Sequence, residues 1–369
     1  MSTTTPTPPR VNLALQGGGS HGAFTWGVLD ALLDDGRVTF EGISGTSAGA
    51  MNAVAMAHGF AQAQGQSALT QRESARASLT AFWEGIVDMG AVSSSVAQAQ
   101  RAPLDILFGG FGALTGNHQS PSQLLSDAVT SFWASSVSPY QSNPLDINPL
   151  LQFLHKQIDF EQLAAYQALK LFVVATTVTT GKAEVFSGKR LTAKAVMASA
   201  CLPTVFQAVE IDGQHYWDGG YAGNPAIHPL IYRCDSRDVV LVQINPIQRA
   251  KLPTTAAEIM DRINEITFNA ALMAEMRAID FVKRLLMEGK LDPTRYKNVL
   301  MHRIDGGEIL EGFHASTKSA TDAKLIHTLR DLGKDCGKRW LAKRFASLGH
   351  ASTVNIAQDY LDALRVPGE

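Results

Sequence analysis

The sequence predicts an α/β fold on a mostly parallel sheet, and three observations carry that prediction. The first sixty residues alternate strand-like and helix-like stretches in the order strand, glycine loop, helix, strand, sharp turn, helix, which is the start of a βαβα winding. Two later apolar runs, residues 171–177 and 239–244, are continuous rather than alternating, as strands buried on both faces are. The remaining periodic stretches carry apolar residues three or four apart and read as helices.

Residues 11–16 form the first buried strand, and Gly17-Gly18-Gly19-Ser20-His21-Gly22 follows at once. Residues 23–33 have helical spacing, with Phe24, Val28 and Leu32 on one stripe and Leu29 beside it. Residues 38–43 make a second short strand that runs into Gly45-Thr46-Ser47-Ala48-Gly49, and residues 48–60 are apolar nearly all round, which suits a helix buried on a sheet. Residues 67–87 read as an amphipathic helix. Between 89 and 148 the pattern weakens into Ser, Gly, Pro and Asn with scattered aromatics, as expected of a cap or insertion.

Periodicity returns at 149–158 and 160–169, two short helices leading into the 171–177 strand. Residues 193–200 make a short helix closed by Leu202-Pro203. Residues 209–211 and 215–217 flank Asp212-Gly213, a hairpin signal, and the second arm ends in Asp218-Gly219-Gly220. Thr255 and Glu258 have capping-box spacing and open a long helix with Ile259, Ile263, Ile266, Met273, Met276, Phe281 and Leu285 three or more apart. That stripe reads as ordinary core in preference to a lipid-facing surface. Residues 298–304 are a last strand. A final helical region spans 321–348, its late basic residues (Lys334, Lys338, Arg339, Lys343, Arg344) read as a solvated face. The domain expected is 11–348, with 1–10 a disordered Thr/Pro-rich tail and 349–369 a short helix and tail.

Composition narrows the function classes. Over 369 residues, 45% are hydrophobic and 18% charged, which is globular rather than disordered. A formal net charge of -2 gives no electrostatic reason to expect nucleic acid. Cys201, Cys234 and Cys336 are scattered, without metal-ligand or disulfide spacing, and suit a reducing compartment. No apolar run reaches membrane-spanning length, so the protein is expected in the cytoplasm, with peripheral contact with a membrane left open.

The chemistry concentrates on Gly45–Gly49. A strand turning sharply into a helix at a serine needs small neighbours, and here both flanking positions are glycine, so Ser47 is a candidate nucleophile. Three readings compete. Gly17-x-Gly19-x-x-Gly22 after a strand is also a dinucleotide fingerprint, with Glu41 near the place of a ribose-binding acid, but a Rossmann oxidoreductase leaves the serine turn unexplained. A Ser-His-Asp hydrolase has His228, His302, His314 and His327 to draw on, yet it needs several strands before its serine and only one or two precede Ser47. In the third reading a shielded carboxylate serves as base, and Asp218, ending a strand before two glycines, is the best candidate.

These motifs, in this order, resemble the patatin-like phospholipase family, which pairs a glycine-rich oxyanion loop, a G-x-S-x-G turn and an Asp-Gly-Gly aspartate. The stretches Ala198–Pro203 and Gly223–Pro225 are similar to the family, and Asn143-Pro144-Leu145 and Asp331-Leu332-Gly333 to its bacterial members. The resemblance implies a three-layer α/β/α fold and a lipid acyl hydrolase with a Ser47–Asp218 dyad. It also implies an oxyanion hole at Gly17, Gly18 and Gly19, an acyl lipid as substrate, and no metal or cofactor. One departure stands out: the family often has Arg or Lys before the last loop glycine, where this chain has His21. His21 is the one candidate for substrate binding. A lipid-binding protein without turnover is the alternative on the same fold.

Overall fold

The computed structural model describes residues 8–109, 138–144, 146, 148–249, 251–312 and 322–361. Eight strands among the described residues form one sheet: β1 (Arg10–Leu15), β2 (Thr39–Thr46), β3 (Lys170–Thr177), β4 (Ala183–Phe186), β5 (Val209–Ile211), β6 (Gln214–Asp218), β7 (Asp238–Gln243) and β8 (Leu300–Asp305). Hydrogen-bonded neighbours follow the order β5–β6–β3–β2–β1–β7–β8, with β4 also on β3. The five strands β3, β2, β1, β7 and β8 are mutually parallel, whereas β4, β5 and β6 pair antiparallel.

The continuous apolar runs are explained by cores on both faces. Along β1, Leu13 and Leu15 join one core and Ala14 the other; along β7, Val240 and Val242 separate in the same way from Val239 and Leu241. The first face is covered by α1 (Gly22–Asp35), α2 (Ala48–Gln62), the opening of α3 (Ala68–Gly109) and the helix Ala323–Arg344. The second is covered by the helices His228–Arg233, Ala256–Met287 and Ile356–Tyr360. The result is the expected three-layer α/β/α arrangement around a mostly parallel sheet.

Glycines let α1 and the helix Ala323–Arg344 cross at backbone contact. A Cβ on Gly27 would stand 1.8 Å from the Arg330 carbonyl oxygen, and one on Gly333 2.0 Å from that of Phe24. No side chain fits there, so the helix Ala323–Arg344 is drawn onto α1.

Several elements depart from the sequence reading. The helix expected to stop near residue 87 continues as α3 to Gly109. Its Ala- and Ser-rich continuation lacks an apolar stripe, so periodicity fades there. The rest of the expected insertion, 110–137, lies outside the described residues, as do 1–7 and 362–369. β1 begins at Arg10, one residue inside the expected tail. β4 and the helix His228–Arg233 are too short to show a period.

The long helix Ala256–Met287 corrects another expectation. Leu272, Met276 and Ile279 are buried, but Ile259, Ile263, Ile266 and Phe281, placed in the core by spacing alone, are exposed. Glu41 also stands elsewhere than a ribose-binding acid should. It is buried near the start of β2, away from the glycine loop, and accepts the backbone N–H groups of Asp235 and Ser236, each at 2.8 Å, and the Lys170 ammonium at 3.1 Å.

Candidate active site

In the sheet, β2 and β3 lie on one side of β1, and β7 and β8 on the other. The carboxyl end of β1 is therefore the switch point at which crevices open in wound α/β sheets. The glycine loop leaves β1 there, and Ser47 leaves the neighbouring β2. Ser47 has φ 53° and ψ −122°, a left-handed conformation that a non-glycine residue adopts only when its surroundings hold it. They do so closely. The Ser47 N–H donates to Ser199 Oγ at 2.9 Å, and its carbonyl accepts from Met51 N at 3.0 Å inside α2. A Cβ on Gly45 would meet the Gly49 carbonyl oxygen at 2.6 Å, and one on Gly49 the Leu15 oxygen at 2.2 Å. Both glycines of the pentapeptide are thus required by close backbone approach.

Strand pairing brings Asp218 to Ser47. Along β3, β4 pairs with Val173–Thr176, while β2 pairs as far as Val174 and β6 begins at Ala175. Because a strand has two edges, β2 and β6 share the edge opposite β4 and meet there end to end. Thr46 is the last residue of one, opposite Val174, and Asp218 the last of the other, opposite Ala175. The sharp turn at Ser47 carries α2 away from this collision and leaves the serine side chain beside the Asp218 carboxylate, near enough to help lower its pKa.

That carboxylate is 1% exposed, and burial pushes its pKa from 3.8 up to about 7; the hydrogen bond from Gly220 N–H, at 2.7 Å, and the neighbouring Ser47 hydroxyl pull the other way without cancelling the effect. The Asp218 backbone is held by its own N–H to Cys201 O at 2.7 Å and by Thr176 Oγ1 donating to its carbonyl at 2.8 Å. Ser47 keeps 9% exposure, against 1% for Asp218. The neighbouring Cys201 thiol is no rival nucleophile, since burial drives its pKa to about 12.

The glycine loop stands against the serine turn, and a Cβ on Gly17 would lie 2.6 Å from the Thr46 oxygen and 2.7 Å from Ser47 Cβ. Its three glycines are not equivalent. The Gly17 N–H already donates to Asn224 Oδ1 at 2.6 Å, so it is engaged in holding the loop and is not free for an oxyanion. The N–H groups of Gly18 and Gly19, and that of Ala48 at the start of α2, donate to no protein group among the described residues. Gly19 needs its glycine, at φ 56°. His21 is 2% exposed, at the entry to α1.

A network of buried amides locks this loop. Gln16 Oε1 accepts from Ile244 N and Asn245 N, both at 2.9 Å, while Gln16 Nε2 donates to Asn224 O and Asn269 Oδ1, both at 3.2 Å. Asn245 Nδ2 donates to Gly17 O at 2.7 Å. The loop is thereby tied to β7, to the long helix and to the segment that follows Asp218. Sequence reading missed Gln16, Asn245, Asn269 and the roles of Ser199 and Asn224. The last two lie in stretches that carry the resemblance, the only signal that marked them.

The histidines serve elsewhere. His302 is buried against Asp238 at 2.9 Å and Thr353 at 3.2 Å, near the opposite end of β7 from the glycine loop. His228 pairs with Glu275 and His327 with Glu84, each at 3.1 Å, and His314 lies outside the described residues.

A family model described as patatin-like phospholipase matches residues 13–231, a span that contains the glycine loop, Ser47 and Asp218. Among solved structures, the crystal structure of VipD from Legionella pneumophila is similar at 16% identity, covering 96% of this chain and 73% of that one, with a TM-score of 0.37. The crystal structure of the type III effector protein ExoU is similar at 15% identity, covering 92% and 54%, with a TM-score of 0.30. No curated protein matches the chain by sequence.

Proposed function

The chain belongs to the patatin-like phospholipase family and is thus a lipid-hydrolysing enzyme; we propose that it cleaves carboxylic esters of acyl lipids with a Ser47–Asp218 dyad through an acyl-enzyme. One observation carries this reading: the ends of β2 and β6 bring Ser47 beside a buried carboxylate whose pKa is pushed up to about 7. An ordinary carboxylate is too weak a base to take a serine proton, and desolvation narrows that gap.

In the first half-reaction Ser47 Oγ bonds to the ester carbonyl carbon as its proton passes to Asp218. The carbonyl oxygen becomes an oxyanion facing the N–H groups of Gly18 and Gly19, with Ala48 N–H as a third donor. The positive end of α2 adds a favourable field. Loss of one such donor typically costs about 3 kcal/mol of barrier. When the carbon–oxygen bond to the alcohol breaks, Asp218 returns its proton to the leaving oxygen. Water then gives a proton to Asp218, attacks the acyl-enzyme and releases the fatty acid, and Ser47 regains its hydrogen.

Membrane contact is part of the proposal. Among the described residues no helix is long and apolar enough to cross a membrane. Ile263 and Ile266 are 49% and 55% exposed, with Ile259 and Met260 beside them on the same long helix. Phe268, on that helix, packs on Gly220 and Tyr221 next to Asp218. The stripe lies on the same stretch of helix that packs beside the dyad through Phe268 on its other side. A lipid surface is its fitting occupant, because the substrate of this family lies in one.

The test is covalent. A fluorophosphonate should label the wild type at Ser47, and Ser47→Ala should lose both the label and hydrolysis of p-nitrophenyl butyrate. Lipid binding with neither label nor turnover would replace this reading by the lipid-binding one.

A further inference from the structure

The dyad and the glycine loop deal with the ester carbonyl and leave the rest of the lipid without a place. A cavity of about 450 Å³ lies beside them, at the carboxyl ends of β7 and β8. Its inner wall includes Ile244 and Asn245. Ile244 Cδ1 lies against Gly18, 2.8 Å from where a Cβ would stand, and Asn245 donates to Gly17 O at 2.7 Å. The cavity therefore begins one residue layer from the proposed oxyanion donors, and its size is that of a small-molecule site.

Its chemistry is wrong for an acyl chain. Gln248, Arg303, Asp305, Glu308, Gln358 and Asp359 all line it, so hydrogen-bonding groups dominate where a hydrocarbon pocket would be apolar. Among the described residues that line it, one guanidinium stands against three carboxylates. Arg303 is already shared, with Nε 2.6 Å from Asp305 and a terminal nitrogen 3.8 Å from Asp359. Glu308 makes no ion pair among the described residues, and it stands exposed at the rim. Such a lining disfavours a head group of net negative charge and favours one that brings a cation.

We propose that this cavity takes the ammonium-bearing head group of a zwitterionic phospholipid, of the ethanolamine or choline type, while the ester lies at Ser47. The assignment rests on the hydrolase reading above. In this assignment Gln248 and Gln358 supply neutral hydrogen-bond donors for the phosphate ester, and Glu308 supplies the negative charge for the ammonium. Head-group selectivity is then set at β7 and β8, outside the catalytic motifs.

The experiment compares wild type, Glu308→Gln and Glu308→Lys on phosphatidylethanolamine and phosphatidylglycerol. Each lipid is dispersed in non-ionic detergent at equal surface fraction, so that vesicle charge plays no part. Every kcat/KM is divided by the same variant's rate on p-nitrophenyl butyrate, which has no head group. Wild type should prefer phosphatidylethanolamine. The normalised preference should fall roughly threefold in Glu308→Gln and about tenfold in Glu308→Lys, as expected for removing and reversing one partly solvated charge contact. A preference unchanged in both variants, or a wild type that prefers phosphatidylglycerol, overturns the head-group site while p-nitrophenyl butyrate turnover keeps the dyad standing. A wild type that hydrolyses none of the three substrates overturns the dyad reading itself.

Discussion

Asp218→Asn keeps the side chain's shape and its acceptor oxygen for the Gly220 N–H but removes the charge. In the folded protein burial raises the Asp218 pKa from 3.8 to about 7, so between these values the native state holds a proton that the unfolded chain has released. Wild-type stability therefore falls as pH rises across that window. Below about pH 4 both states are protonated and the penalty is absent; above pH 7 it is complete. Three pKa units at 1.36 kcal/mol each give about 4 kcal/mol. The substituted amide cannot ionise and escapes this cost. Urea denaturation of both proteins at pH 4 and pH 8 should show nearly equal stabilities at the lower value and an advantage of about 4 kcal/mol for Asp218→Asn at the higher. Hydrolysis of p-nitrophenyl butyrate should rise in the wild type with a midpoint near pH 7, where the base ionises, and fall by roughly a thousandfold in the variant. A stability gap of the same size at both pH values, or a rate midpoint below pH 5, would refute the reasoning.

Asn224→Ala should leave the Gly17 N–H buried without its acceptor, at about 1–3 kcal/mol, and loosen the loop that carries Gly18 and Gly19. Steady-state kinetics should show kcat reduced about ten- to a hundredfold with KM little changed; an unaltered kcat would mean that the loop holds itself. Gly27→Ala places a Cβ 1.8 Å from the Arg330 oxygen, and differential scanning calorimetry should register a loss of about 3 kcal/mol or more. The paired change Ile263→Ser with Ile266→Ser should weaken sedimentation with phospholipid vesicles at least tenfold, since each side chain inserted contributes about 1.5–3 kcal/mol when fully buried. Equal partitioning of that variant would remove the membrane from this face.

The candidate nucleophile and base were readable because their signatures are local. A glycine on either side of a serine, or two after an aspartate, reports a backbone that must pass close to another, and a window of six residues contains that information. The glycine loop was legible for the same reason, but the division of labour within it was not. Gly17 is engaged by Asn224, a contact across 207 positions that no window holds. The long helix shows the same limit from the other side. Spacing revealed one stripe, yet whether Ile263 or Met276 is covered depends on where the sheet ends beneath it.

The sequence by itself determined the βαβα opening, the sharp turn at Ser47 and the presence of an aspartate at the end of a hairpin arm, because steric permission at small residues and apolar continuity act between near neighbours. Only the tertiary structure decided that β2 and β6 meet end to end on one edge of β3, and so that the two residues stand side by side. It also decided the character of the aspartate. Its raised pKa is a property of the 1% of its surface left to water, and burial exists only once the whole sheet has closed around it.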